Sequence, residues 1–355
     1  MNLFPFQKSS AGSTGATFLP VDYNFRWVVK WQNRALTESE HLSTTFYRKA
    51  FQHLSVPTTL YPAPEELMTK VVKIFQSQKN VNIADTHVPM FMQYRDGSTL
   101  NKLIEKDHIL KLPDNELKKL FRMLGEIAAY DYLIANFDRF LPSDFDGTIN
   151  HKHSANGGNI LVELEDIRPI AKTAEFKTVQ VIDNAPLPTG FFTLEEQKEP
   201  ANEEDQAFNL EGLGLFDETE PQEIETISSN PASAVDGQKL RDGHHEKFVR
   251  FRDSEEKDLK ILAKQIRIGI INQWNDVLAQ KGIQKHPFLE DPKLPSLMEE
   301  SIFEGLKNAR EKMVSINIHE TISNLEKMEI TTTAGKIVLD FIRKNLMCIE
   351  NKINV

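Results

Sequence analysis

Three polar residues, Asp138, Asn159 and Asp183, have the types and the order that a phosphoryl-transfer site requires. Asp138 follows a long apolar run, Asn159 precedes the strand-like segment NILVELE, and Asp183 ends a second strand-like segment, VQVID. In such a site one aspartate orients the attacking group and accepts its proton, whereas an asparagine and a second aspartate hold the divalent cations that bridge nucleotide phosphates. The pattern predicts a nucleotide site with Mg²⁺ or Mn²⁺.

Each of these residues also has a simpler structural interpretation. Asp138 precedes Arg139, and an Asp–Arg pair after a helix is commonly an exposed ion pair that contributes about 0 to 1 kcal/mol. Asn159 could be a turn residue, and Asn156 competes with it for the metal-binding role. Asp183 could simply end a strand before a proline turn. The order of the three residues favours the chemical interpretation.

The amino-terminal segment supplies candidate phosphate-binding groups. Glycines in SSAGSTGA allow close approach of the backbone to phosphates. The residues of this loop that we expect to bind the nucleotide are Gly12, Ser13, Thr14 and Gly15. Lys30, which alternates with apolar residues in RWVVKW, is placed to reach the same phosphates. Its simpler interpretation is a charge at a strand edge.

A phosphate-binding lysine needs a carboxylate partner on the helix that follows its strand. The segment TESE offers Glu38 and Glu40, and we prefer Glu40 as the partner of Lys30. The alternative is a capping box, in which Glu40 reaches back to the first amide of a helix that begins near Thr37. Both alternatives remain open at the level of sequence.

Taken together, LGEIAAYDYLIANFDRFLP, GGNILV and VQVIDN resemble the catalytic segment of the actin-fragmin kinase type of atypical kinase. Type II phosphatidylinositol 4-kinases are related to that type and share an N-x-D-R and an I-D-N pattern. The resemblance covers roughly residues 8–190. It implies an α+β, two-lobed protein-kinase-like fold with a small β-rich N-lobe, a helical C-lobe and ATP bound between them.

The resemblance also implies roles for individual residues. Lys30 would be the phosphate-binding lysine and Asp138 the catalytic aspartate, while Asn159 and Asp183 would be the metal ligands. A hinge beside the adenine would consist of Met92, Gln93 and Tyr94.

The chain departs from ordinary protein kinases between Asp138 and Asn159, which are 21 residues apart. This interval contains HKHSANGG, where His151 and His153 are candidate metal ligands, although histidines in polar loops are more often solvated. Neither DFG nor APE occurs at the expected places. We therefore do not expect activation through an ordinary phosphorylated activation segment.

Composition indicates a globular protein, with 40% apolar and 26% charged residues in a chain of 355. Twelve acidic residues against one lysine at 195–225 account for the net charge of −10, so the remaining chain is nearly neutral and we expect no nucleic-acid binding. The single cysteine, Cys348, excludes an internal disulfide and is interpreted as buried and structural. We expect no transmembrane segment and no secretory signal.

These features favour a cytoplasmic protein. An atypical kinase with an unrelated helical tail is also compatible with a bacterial effector that acts in a host cytosol.

Apolar periodicity predicts the order of the elements. We expect a β-hairpin at about 16–31, a helix from about Thr37, a strand in HVPMFMQ, a long helix at about 115–135 and two further strands. Residues 193–243 have the composition of a solvated insertion, and the chain is expected to be helical from Phe248 onward. The expected division is an N-lobe at 1–94, a C-lobe at 95–290 and a helical subdomain at 291–355.

Four cations lie at steps of three and four residues on one face of a late helix: Lys257, Lys260, Lys264 and Arg267. Such a stripe could bind a polyanionic regulator, such as an inositol phosphate or an anionic lipid. The simpler interpretation is a solvated face that is paired with nearby acidic residues.

The sequence thus predicts an ATP-dependent kinase, and the expected acceptor is a serine or threonine of another protein. A phosphoinositide is the alternative acceptor, because the N-x-D-R and I-D-N patterns recur in lipid kinases. A second class of function is a catalytically inactive scaffold that binds partners through the insertion or the late helices. A kinase-like fold could also transfer AMP, since fold does not determine chemistry.

Overall fold

The computed structural model describes residues 6–8, 15–20, 27–68, 87–95, 97–140, 155–165, 173–186, 192 and 237–353. These residues form a mixed α+β fold with two antiparallel sheets. The predictions for Gly12, Ser13, Thr14, His151 and His153 lie outside the described residues, as does most of the acidic insertion.

The predicted hairpin, helix, strand, long helix and two further strands occur in that order, and the chain is helical beyond Gly237. The strands are β1 (Phe6–Lys8), β2 (Gly15–Pro20), β3 (Trp27–Asn33), β4 (Thr59–Leu60), β5 (His87–Gln93), β6 (Ser98–Thr99), β7 (Ile160–Glu165) and β8 (Glu175–Val181). The helices are α1 (Arg34–Ala50), α2 (Leu100–Glu105), α3 (Asp114–Ile134), α4 (Gly237–Asp253), α5 (Glu256–Gln280), α6 (Pro287–Glu290), α7 (Leu294–Val314), α8 (Ile318–Glu326) and α9 (Thr333–Ile353).

The first sheet places Lys30 on its central strand. Its order is β1-β2-β3-β5-β4, and Lys30 of β3 lies opposite Thr17 of β2 and Met90 of β5. The sequence WVVKWQN favours a strand because β-branched and aromatic side chains pack well on a pleated surface. Val29 and Trp31 on either side of Lys30 are buried, so the lysine is held in a rigid strand.

Helix α1 begins three residues earlier than the sequence predicts, at Arg34. The side chain of Asn33 caps it by accepting a hydrogen bond from the Ala35 amide at 2.8 Å. The alternative of a capping box at Thr37 and Glu40 is therefore wrong: Thr37 lies inside the helix, and its hydroxyl donates to the Asn33 carbonyl at 3.0 Å. Because Glu40 is not needed as a cap, its side chain is available for another partner.

Helix α3 and the second sheet bring the central segments together. The helix ends at Ala135, whose φ of 54° places it in the left-handed region and stops the helical hydrogen bonding. The second sheet has the order β6-β7-β8, and a single 3₁₀ turn at Gly157–Asn159 leads into β7. The end of α3, the start of β7 and the end of β8 thereby become neighbours.

The carboxy-terminal part is helical from Gly237, earlier than the sequence predicts. The sequence predicts a solvated insertion up to residue 243, but residues 237–243 belong to α4. This helix is polar along most of its length and buries Phe248 and Phe251 near its end. Among the described residues, no helix is both long enough and apolar enough to cross a membrane.

Two glycines allow α3 and α7 to cross in direct backbone contact. A Cβ atom added to Gly125 would lie 2.3 Å from the carbonyl oxygen of Ile302, and one added to Gly305 would lie 1.9 Å from that of Arg122. The buried apolar residues of α1, α3, α7 and α9 belong to one continuous core. The division of the chain at residue 291 stays a prediction, but the helices beyond it share this core.

We expect Gly305→Ala to destabilise the protein by about 1 to 3 kcal/mol, because the added methyl group meets backbone atoms that cannot move aside cheaply. Urea-induced unfolding measures the change. The matched control is Gly243→Ala in α4, where nothing lies within 4 Å of the added atom. It should be neutral or stabilising. Equal stability of the two variants would contradict the α3–α7 packing.

Candidate active site

Lys30 lies between two carboxylates, those of Glu40 and Asp183. Its ammonium nitrogen is 2.6 Å from Glu40 Oε1 and also pairs with Asp183 Oδ1. The second oxygen of Glu40 accepts a hydrogen bond from Gln32 Nε2 at 3.0 Å, which fixes the carboxylate against β3. Lys30 is only 8% exposed, so this pairing is shielded from bulk water. Of the two glutamates that the segment TESE offers, Glu40 and not Glu38 therefore pairs with Lys30.

His41, the neighbour of Glu40 on α1, brings no positive charge to this cluster at neutral pH. Burial, together with the nearby Arg48, lowers the pKa of His41 to about 4. Its Nδ1 atom lies 2.7 Å from the hydroxyl oxygen of Thr59 on β4. Lys30 therefore does not compete with a histidinium for Glu40.

Asp183 is held in a backbone conformation that residues other than glycine adopt rarely. Its φ is 52°, and its carbonyl oxygen accepts hydrogen bonds from Asn136 Nδ2 at 2.8 Å and from Arg139 Nη1 at 3.3 Å. Aspartate tolerates this region better than most residues, but the conformation persists only where surrounding contacts impose it. These contacts turn the Asp183 side chain toward Lys30, and 42% of it remains exposed.

Asp138 is bound by the two asparagines that compete for the metal-binding role. Its Oδ2 atom accepts hydrogen bonds from Asn159 Nδ2 at 2.5 Å and from Asn156 Nδ2 at 2.9 Å. The Asn159 carbonyl also accepts from the Ile182 amide at 3.2 Å, which places Asn159 beside the residue before Asp183. Both asparagines contact Asp138, but Asn159 is also hydrogen-bonded to the residue before Asp183. Asn159 is thus the asparagine that links Asp138 with the segment of Asp183.

Arg139 is completely buried, so the interpretation of Asp138 and Arg139 as an exposed surface pair is wrong. Its guanidinium pairs with Asp131 of α3 through Nε, at 3.1 Å, and through Nη2. Nη1 donates to the Ile182 carbonyl at 2.9 Å and to Asn184 Oδ1 at 3.1 Å. One arginine thus ties helix α3 to the segment that carries Asp183.

Tyr47 of α1 completes this buried cluster. Its hydroxyl donates to Asp131 Oδ1 and lies 3.3 Å from Arg139 Nη2. Burial and then the adjacent Asp131 raise the pKa of Tyr47 well above its usual value, so the phenol stays protonated and can donate. Burial disfavours the charged guanidinium, but Asp131 more than offsets this effect and raises the pKa of Arg139.

Several residues of the site were not identified from sequence. Asn136, Tyr47 and Asp131 hold the segments that carry Asp138 and Asp183 in place. Asn184 also does so, because its side chain donates to Thr44 Oγ1 at 3.0 Å. Asn136 is the first letter of N-x-D-R and Asn184 is the last letter of I-D-N, so both asparagines stood inside motifs that the sequence analysis quotes. The spacing of Glu40, Thr44 and Tyr47 on one face of α1 was a second available signal.

The donor set fits a divalent cation. Asp183, Asn159 and Asp138 offer carboxylate and amide oxygens, which are the ligands that Mg²⁺ and Mn²⁺ prefer. The ammonium of Lys30 against Asp183 shows that this carboxylate accommodates a positive charge. Within the described part of the chain, no group of three or more His, Cys, Asp and Glu side chains has the arrangement of a metal site.

The residues expected to contact adenine lie where the two sheets are joined. Met92 and Gln93 end β5, Tyr94 follows, and the chain then enters β6 of the second sheet. The Gln93 amide donates to the Thr58 carbonyl at 2.8 Å, and Met92 is buried. Of the phosphate-binding loop, Gly15 alone is described, as the first residue of β2 opposite Gln32.

The basic stripe lies on α5, and three of its four members have neighbours of their own. Lys257 pairs with Glu255 at 2.8 Å, and Arg267 Nε lies 3.3 Å from Glu299 on α7. The ammonium of Lys260 lies 5.5 Å from the centre of the Phe303 ring. Lys264 is exposed. Lys257 and Lys260 are also exposed, as the solvated-face interpretation expects, whereas the Arg267 side chain is only 15% exposed. Binding of a polyanion stays a prediction.

Cys348 is half-buried, so the prediction of a buried cysteine is wrong. Its sulfur accepts a hydrogen bond from Arg252 Nη1 at 2.7 Å, which links α9 to α4. The structural interpretation of this cysteine is compatible with that contact.

No protein-family model matches the chain, and no curated protein matches it significantly.

We expect Arg139→Lys to lower the free energy of unfolding by about 2 to 3 kcal/mol. A lysine ammonium cannot reach all the acceptors to which the guanidinium donates, namely Asp131, the Ile182 carbonyl and Asn184. Chemical denaturation measures the loss. Arg343→Lys is the matched control, since Arg343 is 57% exposed and pairs with Glu326 at 3.4 Å, and it should cost less than about 1 kcal/mol. Similar losses in both variants would contradict the buried role of Arg139.

Proposed function

We propose that the chain is an ATP-dependent phosphotransferase, an atypical kinase that transfers the γ-phosphate to a hydroxyl group. The observation that carries the proposal is the contact of Lys30 with both Glu40 and Asp183. A lysine on a strand of the sheet, a glutamate on the next helix and an aspartate after a later strand are the groups that kinases use to hold phosphates and metal. Here they meet although 153 residues separate Lys30 from Asp183.

The arrangement of elements supports a two-lobed, kinase-like organisation. The first sheet and α1 would form the smaller lobe, and the second sheet with α3 would form the base of the larger one. The chain passes between them after Tyr94, so ATP would lie in the cleft beside Met92, Gln93 and Tyr94, and the glycine-containing loop before β2 would cover its phosphates. Lys30 on the first sheet and Asp183 after the last strand of the second sheet would then face the nucleotide from opposite sides.

The residues of the chain would act by positioning and by charge. Lys30, fixed by Glu40, would bind the phosphates of ATP once the side chain of Asp183 turns from it to a metal ion. Mg²⁺ or Mn²⁺ held by Asp183 and Asn159 would neutralise charge on the phosphates. Asp138 would orient the acceptor hydroxyl and take its proton, and the hydrogen bond from Asn159 would keep its carboxylate in place.

The meeting of Lys30 with Glu40 and Asp183 favours an enzyme over an inactive scaffold. The expected acceptor is a protein serine or threonine, with a phosphoinositide as the alternative. The I-D-N pattern shared with lipid kinases does not decide between them, because Asn184 is buried and bonds Arg139 and Thr44. The pattern thus maintains the architecture of the site and leaves the acceptor open.

We expect the purified chain to transfer label from [γ-³²P]ATP in the presence of Mg²⁺ or Mn²⁺, to itself, to a protein acceptor or to phosphoinositide vesicles. Asp183→Asn should lower the transfer by about 100-fold or more, because positioning and charge stabilisation supply most of the catalysis. This substitution keeps the shape of the side chain and its tolerance of positive φ, so the melting temperature should change little.

Asp340→Asn is the matched control, because Asp340 is exposed on α9 away from the site. Its transfer rate should equal that of the unmodified chain. Transfer that survives in Asp183→Asn at the unmodified rate would refute the proposed site, and a complete lack of transfer to all three acceptors would favour the scaffold.

A further inference from the structure

Glu38 is a fully buried carboxylate on α1, two residues before Glu40. Its side chain binds the segment that precedes α9. Its oxygens accept hydrogen bonds from the backbone amides of Thr331, at 3.1 Å, and Thr332, at 2.8 Å. The hydroxyls of the same threonines donate to it at 2.6 and 2.7 Å. Residues separated by nearly three hundred positions thus form one closed cluster.

The partner of Glu38 is the amino terminus of a 21-residue helix. Thr332 caps α9, since its hydroxyl oxygen accepts from the Gly335 amide at 3.0 Å. The first amides of a helix lack helical partners and favour a negative charge, which Glu38 supplies from another element. A Cβ atom on Gly335 would lie 2.7 Å from Glu38 Oε2, so the glycine leaves room for the carboxylate.

Burial of Glu38 couples α1 to α9. A carboxylate removed from water is costly unless hydrogen bonds replace those it had made with solvent. The bonds from Thr331 and Thr332 exist only when the start of α9 is docked on α1. If α1 moved away from this position, the buried Glu38 carboxylate would lose the hydrogen bonds from Thr331 and Thr332, or the apolar residues around it would become exposed.

The position of Glu38 also fixes the rotation of α1. Residues two apart on an α-helix point about 200° away from each other, so a helix that presents Glu38 to α9 presents Glu40 to the opposite side, toward β3. Helix α9 is itself anchored to α3, because Asn345 Nδ2 donates to the Leu133 carbonyl at 2.9 Å. It thus connects the helix that carries Glu40 with the helix that leads to Asp138.

We propose that Glu38 is a positioning residue for the phosphotransferase site: with Thr331 and Thr332 it holds α1 in the rotation at which Glu40 reaches Lys30. The proposal rests on the proposed function for its catalytic consequence. The carboxy-terminal helices then assemble the Lys30–Glu40 pair within the chain itself. In other kinases, phosphorylation of an activation segment can control the position of the corresponding helix.

The test compares Glu38→Gln with the matched control Glu329→Gln, an exposed glutamate just before the same threonines. Glutamine has one acceptor oxygen in place of two, so it cannot satisfy all the donors. We expect faster hydrogen–deuterium exchange in α1 and at the start of α9 for Glu38→Gln, with no change for Glu329→Gln. We also expect kcat for label transfer to fall by about 10- to 100-fold in Glu38→Gln.

A double-mutant cycle separates positioning from general destabilisation. If Glu38 acts through Glu40, Glu38→Gln should lower kcat much less in a Glu40→Gln background than in the unmodified chain. Equal reductions in both backgrounds would overturn the positioning role. Should Glu38→Gln fail to fold, Thr332→Val removes one donor and is measured in the same cycle, with exposed Thr333→Val as its control.

The exchange measurement keeps the proposal testable if the chain transfers no phosphate. In that case the proposed function fails, while faster exchange of α1 amides in Glu38→Gln would still support the coupling of α1 to α9. Unchanged exchange in α1 would overturn the coupling whether or not transfer is observed.

Discussion

The guanidinium of Arg139 is buried between helix α3, helix α1 and the segment after β8, and the geometry of the candidate site depends on it. A buried charge is tolerated only when it is paired and its donors are bonded, which Asp131, Tyr47 and the carbonyl of Ile182 achieve here. Because Arg139 directly follows Asp138, the same interaction fixes the loop that carries that aspartate. Its bond to the Asp183 carbonyl also helps to impose the left-handed conformation of that residue.

Helix α1 contacts the candidate site on one side and the start of α9 on the other. One face carries Glu40, which pairs with Lys30, and Tyr47, which reaches the buried arginine cluster. Glu38, on the other side, lies against the start of α9. The site is therefore continuous with the carboxy-terminal helices, and the close crossing of α3 and α7 at Gly125 and Gly305 gives those helices a common rigid base. Under the proposed coupling, chain segments far apart in sequence would together determine the position of the Lys30–Glu40 pair.

Sequence was sufficient where a pattern is local. Apolar periodicity predicts α3, β5, β7 and β8 to within a few residues, and the mixed α+β class is confirmed. The start of α1 was missed because Asn33, the last residue of a strand, is also the helix cap. The start of α4 was missed because the helix is polar until Phe248.

The burial of Arg139 could not be predicted, since Tyr47 lies 92 positions away and a short Asp–Arg motif does not reveal such a partner. The catalytic roles stay predictions.

The central claim is that Lys30, Asn159 and Asp183 surround the phosphates and metal of a bound nucleotide. The most direct measurement is a crystal structure with Mn²⁺ and a non-hydrolysable ATP analogue, in which anomalous scattering locates the metal. We expect manganese at about 2.0 to 2.2 Å from oxygens of Asp183 and Asn159, with Lys30 still paired with Glu40 and now contacting phosphate. Nucleotide bound away from Lys30 and Asp183, or manganese coordinated without Asp183, would contradict the proposed site.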